Sequence, residues 1–255
     1  MECSLSIGWT VFWLLSAGAG TTFIAMLAGG QMFMSIPLFT LLFPGASFGQ
    51  IIGNLKVGSF CRGIGGIAAT YREIEFRRMC SAVLLVGLGS AAGANIIVNL
   101  PSVFLIIVVL VAICFVETSP KLEVLTKPSV RPLAMVLVGL YASIINAGSG
   151  LMILAMTRSY YPQKSQVPQA KIHANFLELS SVAVSCLVHI FHGNVVLWIA
   201  AVWSVGSLLG GYFGGRVLSR LSRTEKKESG KWGDRLLRAT YVFAVVSLVY
   251  VALRG

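Results

Sequence analysis

Four stretches of this chain, Cys3–Leu55, Met79–Val116, Pro132–Thr157 and Leu179–Gly215, contain no Asp, Glu, Lys or Arg. A helix needs about 20 mainly apolar residues to cross a bilayer, so these stretches hold several crossings. The sequence is 56% hydrophobic and 11% charged, and no polar segment is long enough to fold as a soluble domain. The expected fold class is therefore an all-α integral membrane protein, one transmembrane domain over 1–255. The N-terminus has Glu2, lacks a basic leader and runs into a long apolar stretch, so it reads as a retained first helix. Cys3, Cys61, Cys80, Cys114 and Cys186 show neither CxxC pairing nor metal-ligand spacing and read as small apolar residues.

Twice, the apolar sequence breaks at glycines. The first break reads AGGQMFMSIPL (28–38) and is followed by GQIIGNLKVGS (49–59); the second reads NAGSGLMILAM (146–156), followed by QAKIHANFLELSS (169–181). Gly-interrupted segments at matching places in two halves point to a transporter with its site at the repeat interface. The expected spans are 8–27, a short 31–43, 47–70, 79–99 and 102–117, then 132–147, a short 149–160, 168–191, 195–216 and 237–253. Each short piece, about 13 residues, is too short to cross the bilayer. If each break turns the chain back, 16 of the 20 Lys and Arg residues fall in loops on one side. Simple alternation would divide those loop charges 6 against 10. The positive-inside rule selects the folded-back arrangement, with basic loops cytoplasmic and both termini on the opposite side. The net charge of +11 thus serves topology and does not call for nucleic acid. Each half then has opposite orientation. The expectation is a polytopic bundle of about 8 spanning helices built from two inverted repeats (about 8–117 and 132–254), each with a Gly-broken re-entrant segment.

Irregular backbone at membrane depth is tolerated where it is buried in protein or lines a wet cavity. The free N–H groups of each short helix make an anion site, to which Gly30, Gln31, Asn146, Ser149 and Gly150 would contribute. Glycines that merely permit a hairpin and close packing are the alternative. Aligning Asn54 with Asn175 also aligns Gln50 with Lys171. Lys171, Asn175, Glu178 and His189 then fall within about 60° of arc on one helix. A polar stripe on a spanning helix belongs to a bundle interior or an aqueous path. Gln50, Asn54, Lys171 and Asn175 are accordingly candidate substrate ligands, and Glu178 is a candidate for proton coupling or for a salt bridge with Lys56 or Lys171. Arg62 is expected to snorkel toward the cytoplasmic end of its helix. His189 and His192 lack a third ligand nearby, so no metal and no cofactor is expected. The glycines 206, 210, 211, 214 and 215 read as close helix packing, which also leaves room for a homodimer.

The segments AGGQMFMSIPLFTLLFPGASFGQIIGNL (28–55) and GNVVLWIAAVWSVGSLLGGYFGGRVLSRLS (193–222) resemble the TauE/SafE sulfite exporter family of membrane transporters, in a pattern covering essentially the whole chain. That resemblance implies transport of sulfite, a sulfonate or a related oxyanion across a cell membrane. The residues by themselves reach a small anion, through the helix N-termini and Lys171. The leading expectation is a secondary transporter working by alternating access. A passive anion channel and a membrane subunit of a larger complex are the alternatives. No GxxxxGK[ST] or HExxH motif is present, and an enzyme is not expected.

Overall fold

The computed structural model describes residues 7–98, 129–144, 149–158 and 167–223. The expected spans 102–117 and 237–253, and Asn146 within the second break, lie outside the described residues. The described chain forms α1 (Ile7–Ala28), α2 (Gln31–Leu42), α3 (Phe48–Thr70), a 3₁₀ turn (Tyr71–Glu73) and α4 (Phe76–Val98). It continues with α5 (Arg131–Ile144), α6 (Ser149–Arg158), α7 (Val167–Phe191) and α8 (Leu197–Arg223). The described residues are all helix and connection, with no strand. Helices α1, α4, α7 and α8 are long and apolar enough to cross a membrane.

The first break is a backbone event. Gly29 and Gly30 both take positive φ, 92° and 75°, a conformation that glycine adopts without a Cβ penalty. The hydrogen bond from Ser35 Oγ to Thr21 Oγ1, 3.3 Å, and the packing of Phe39 with Leu14 in one core cluster show that α2 runs back along α1. Ser47 then starts α3 with a reciprocal capping box. Its Oγ accepts from Gln50 N–H, and Gln50 Oε1 accepts from Ser47 N–H. In the second half α6 runs antiparallel to α7: Gly150 lies beside Glu178, and Thr157 Oγ1 bonds Ala170 O at 3.1 Å.

Helix α8 sits between α1 and α3, in contact with both. Gly206 and Gly210 press on the Leu15 and Ala19 carbonyls of α1, while Gly211 and Gly215 press on α3 at Arg62 and Gly66. A Cβ at any of these positions would meet backbone, so the glycine pattern is a packing device. Further along the chain α5 packs against α4, α7 against α4 and α6 against α7. Helix α3 crosses against α7. It carries Lys56 and Arg62, both buried, and belongs to the bundle interior.

The ends of the bundle differ. At one end α3 and α8 finish and α4 and α7 begin. There Glu73 accepts from Ser219 Oγ at 2.8 Å and pairs with Arg223, and Gln169 Nε2 donates to Glu73 O at 2.6 Å. Arg72, Arg77, Arg78, Arg220 and Arg223 gather at this end. At the other end, Trp9, Phe12, Trp13, Phe191 and Trp198 are exposed, as in an interfacial aromatic belt. Two sequence expectations need correction. Helix α8 continues to Arg223, about two turns beyond the expected span, because its basic last turn complements the helix C-terminus and anchors on Glu73. Arg62 does not snorkel to a helix end; it is 2% exposed and turned toward α7, where a buried carboxylate awaits it.

Candidate functional site

The two short helices start inside the bundle, and a chain of polar side chains joins their first turns. Gln31, the first residue of α2, is buried, and its Oε1 accepts from Ser59 Oγ of α3 at 3.1 Å. One turn further along α3, Arg62 Nη2 stands 2.9 Å from Glu178 Oε2 of α7. The contact is ionic in distance, although it lacks hydrogen-bond alignment. On the far side of Glu178 lies the first turn of α6. A Cβ built on Gly150 would stand 3.2 Å from Glu178 Oε2 and 3.7 Å from Lys171 Nζ. The glycine lets the α6 backbone sit close to both side chains without crowding the Glu178 carboxyl. Ser149 is fully buried at the same helix start.

Donors outnumber acceptors here. Lys171 Nζ, Arg62 Nε and Nη1, and Gln31 Nε2 are buried and have no hydrogen-bond partner among the described residues. Among the described residues, Glu178 is the one acidic side chain facing Arg62 and Lys171. A buried charge without a partner is costly, and so is a buried polar group without a hydrogen bond. Two helix N-termini add partial positive charge. The arrangement is complementary to a small anion.

Two other polar side chains satisfy the ends of helices. The last carbonyls of a helix have no partner within it. Asn175 Nδ2 donates to Met26 O, in the last turn of α1, at 3.1 Å. Lys56 Nζ donates to Ala142 O, in the last turn of α5, at 2.8 Å. Asn175 of α7 thus caps the end of α1, and Lys56 of α3 caps the end of α5. Sequence reading placed Asn175 in the site and missed this cap. Asn175 Oδ1 remains without a hydrogen-bond partner among the described residues.

The structure brings Gly30, Gln31, Ser149, Gly150, Lys171, Asn175 and Glu178 to the polar interior, and adds Arg62 and Ser59. It does not bring Gln50 and Asn54 there. Gln50 closes the capping box of α3. Asn54 Nδ2 bonds Gln50 O at 2.6 Å, and its Oδ1 accepts from Val196 N–H at 3.1 Å, fixing the start of α8. Both line a pocket of about 340 Å³ at the end away from the basic residues, with Phe39, Phe43, Ile51 and Ile199. Among the described residues no three His, Cys, Asp or Glu side chains gather as a metal site.

A search of curated proteins and a search of solved structures each find no match. Comparison with protein families does find one: residues 14–228, both halves and every helix described above from within α1 onward, match the family described as sulfite exporter TauE/SafE. With its long apolar helices and its polar interior, the chain belongs to the sulfite exporter TauE/SafE family of membrane transporters.

Proposed function

We propose that this protein is a secondary transporter of a small oxyanion, such as sulfite or a short sulfonate, which it binds between the first turns of α2 and α6. The observation that carries this reading is the surplus, among the described residues, of buried donors without a partner, Lys171 Nζ, Arg62 Nε and Nη1 and Gln31 Nε2, around a single carboxylate. The anion takes hydrogen bonds from Gln31, Lys171 and Arg62 and from the backbone at Gly30, Ser149 and Gly150, with Asn175 at the edge of the site. Glu178 provides proton coupling. While ionised it competes with the anion for Arg62; protonated, it releases the guanidinium to the substrate.

Exchanging α1–α4 with α5–α8 maps the main packing pairs onto one another: α1 on α8 becomes α5 on α4, and α3 on α8 becomes α7 on α4. This exchange supports an inverted repeat, with α2 and α6 as its re-entrant segments and alternating access by rocking of one half against the other. Charge bias puts the end bearing Arg72, Arg77, Arg78, Arg220 and Arg223 in the cytoplasm. The test is uptake of labelled sulfite by proteoliposomes with a pH gradient imposed. Accumulation above the outside concentration, abolished by a protonophore, supports a proton-coupled carrier. Flux that only equilibrates the anion, whatever the gradient, would point to a passive channel.

A further inference from the structure

The pocket at the end away from the basic residues stops short of the polar interior, and two aromatic side chains stand between them. Phe39 of α2 lines the pocket floor. It meets Trp203 of α8 edge-on, with ring centroids 4.8 Å apart and planes at 87°. Both rings are essentially inaccessible to solvent. Trp203 lies one turn inward of Ile199, another pocket residue. Its indole packs directly on Gly58 of α3, where any Cβ would collide with the ring. The next residue is Ser59, the partner of Gln31. In order, then, come pocket, Phe39–Trp203, Gly58–Ser59, Gln31 and Arg62.

The inner side of this aromatic pair is polar. Trp203 Nε1 and Ser207 Oγ are buried beside Gly58 and have no hydrogen-bond partner among the described residues. A buried indole N–H ordinarily finds an acceptor. An unmet donor on the inward face of the barrier suits an anion passing toward Gln31. An edge-on aromatic contact is worth only about 0.5–1.5 kcal/mol beyond its area, so it can break and reform during a transport cycle.

We propose that the pocket is the outer vestibule of the transport path and that the Phe39–Trp203 contact is the gate between it and the central site. The inference rests on the transport reading, and its test uses accessibility rather than flux, so each can fail alone. In a background with all five cysteines replaced, Ser59→Cys is treated with an anionic, membrane-impermeant thiol reagent added opposite the basic end. Ala46→Cys, on the pocket lining, reports access to the vestibule itself. The expected result is rapid labelling at position 46 and slow labelling at position 59. Adding Phe39→Ala should raise the rate at position 59 at least tenfold and leave position 46 unchanged. Trp203→Phe, which keeps a ring in the gate, should leave position 59 slow. If Phe39→Ala does not give a monodisperse protein, Phe39→Leu, smaller and non-aromatic, carries the comparison. Equal rates at position 59 with and without the Phe39 substitution, whether both fast or both slow, would overturn the gate. Sulfite flux through the parent protein separately reports on the transport reading.

Discussion

Arg62 of α3 and Glu178 of α7 form an ion pair 2.9 Å apart, with both side chains about 97% shielded from solvent. Removing one member of a buried pair leaves a charge uncompensated and typically costs about 3–5 kcal/mol. Replacing both by apolar residues of similar size is often neutral. We therefore expect Glu178→Gln to lower thermal stability strongly, and Arg62→Met with Glu178→Leu to recover most of the loss. The doubly substituted protein should still fail to transport, because the guanidinium proposed to meet the anion is gone. A double substitution as unstable as the single one would argue that the pair is a structural clamp and nothing more.

Lys171 makes the opposite case. Its ammonium group is buried without a hydrogen-bond partner among the described residues, so the fold gains little from its charge. Lys171→Met should leave the melting temperature unchanged or raised while abolishing anion-dependent stabilisation. Lys56→Met should instead lower it, because Lys56 holds the Ala142 carbonyl at the end of α5. Thermal melts of both variants, with and without sulfite, separate the two roles.

Much of this architecture is legible in the sequence, because one-dimensional signals carry it. Charge-free runs mark the helices, Gly29–Gly30 marks the first break, and the 206–215 glycines mark close packing. What was not legible depends on which helices meet. The sequence offers Lys56 or Lys171 as the partner of Glu178, yet it is Arg62, because α3 crosses α7 at that height. Asn54 shares a helical stripe with Gln50 just as Asn175 does with Lys171. Only the tertiary contact with Val196 N–H reveals that Asn54 caps a helix. The end of α8 was misjudged because Arg220 and Arg223 look like loop residues until Glu73 is placed beside them.

The basic end should weaken in acid. Partial burial of Glu73 disfavours its charged form, but hydrogen bonds from Arg223 and Ser219 outweigh that and hold its carboxyl below the ordinary 4.5. Its contribution is therefore complete above the unfolded-state value and fades as pH falls through the lower folded value. Melting temperatures at pH 7 and pH 3 should differ more for the wild type than for Glu73→Gln. Equal acid sensitivity in the two proteins would remove Glu73 from the explanation.

The glycines at the two helix starts are expected to differ in kind. Gly30 has φ 75°, so Gly30→Ala should cost about 1–2 kcal/mol in backbone strain. Gly150 shows no positive φ, and a methyl there meets Glu178 Oε2 at 3.2 Å, an adjustment of a few tenths of an ångström. Gly150→Ala should thus fold nearly normally and weaken anion binding. Chemical denaturation of both variants, alongside sulfite flux, tests the contrast.

On the proposed mechanism the anion binds between α2 and α6 rather than at the outer pocket. Labelled sulfite flux into proteoliposomes should be compared for the wild type, Lys171→Met and Asn54→Ala, each confirmed folded. A lost hydrogen bond to a charged group is worth about 1.5–3 kcal/mol, roughly 10- to 150-fold in affinity. Lys171→Met should lose flux on that scale while Asn54→Ala retains most of it. Wild-type flux in Lys171→Met, with flux abolished in Asn54→Ala, would contradict that mechanism.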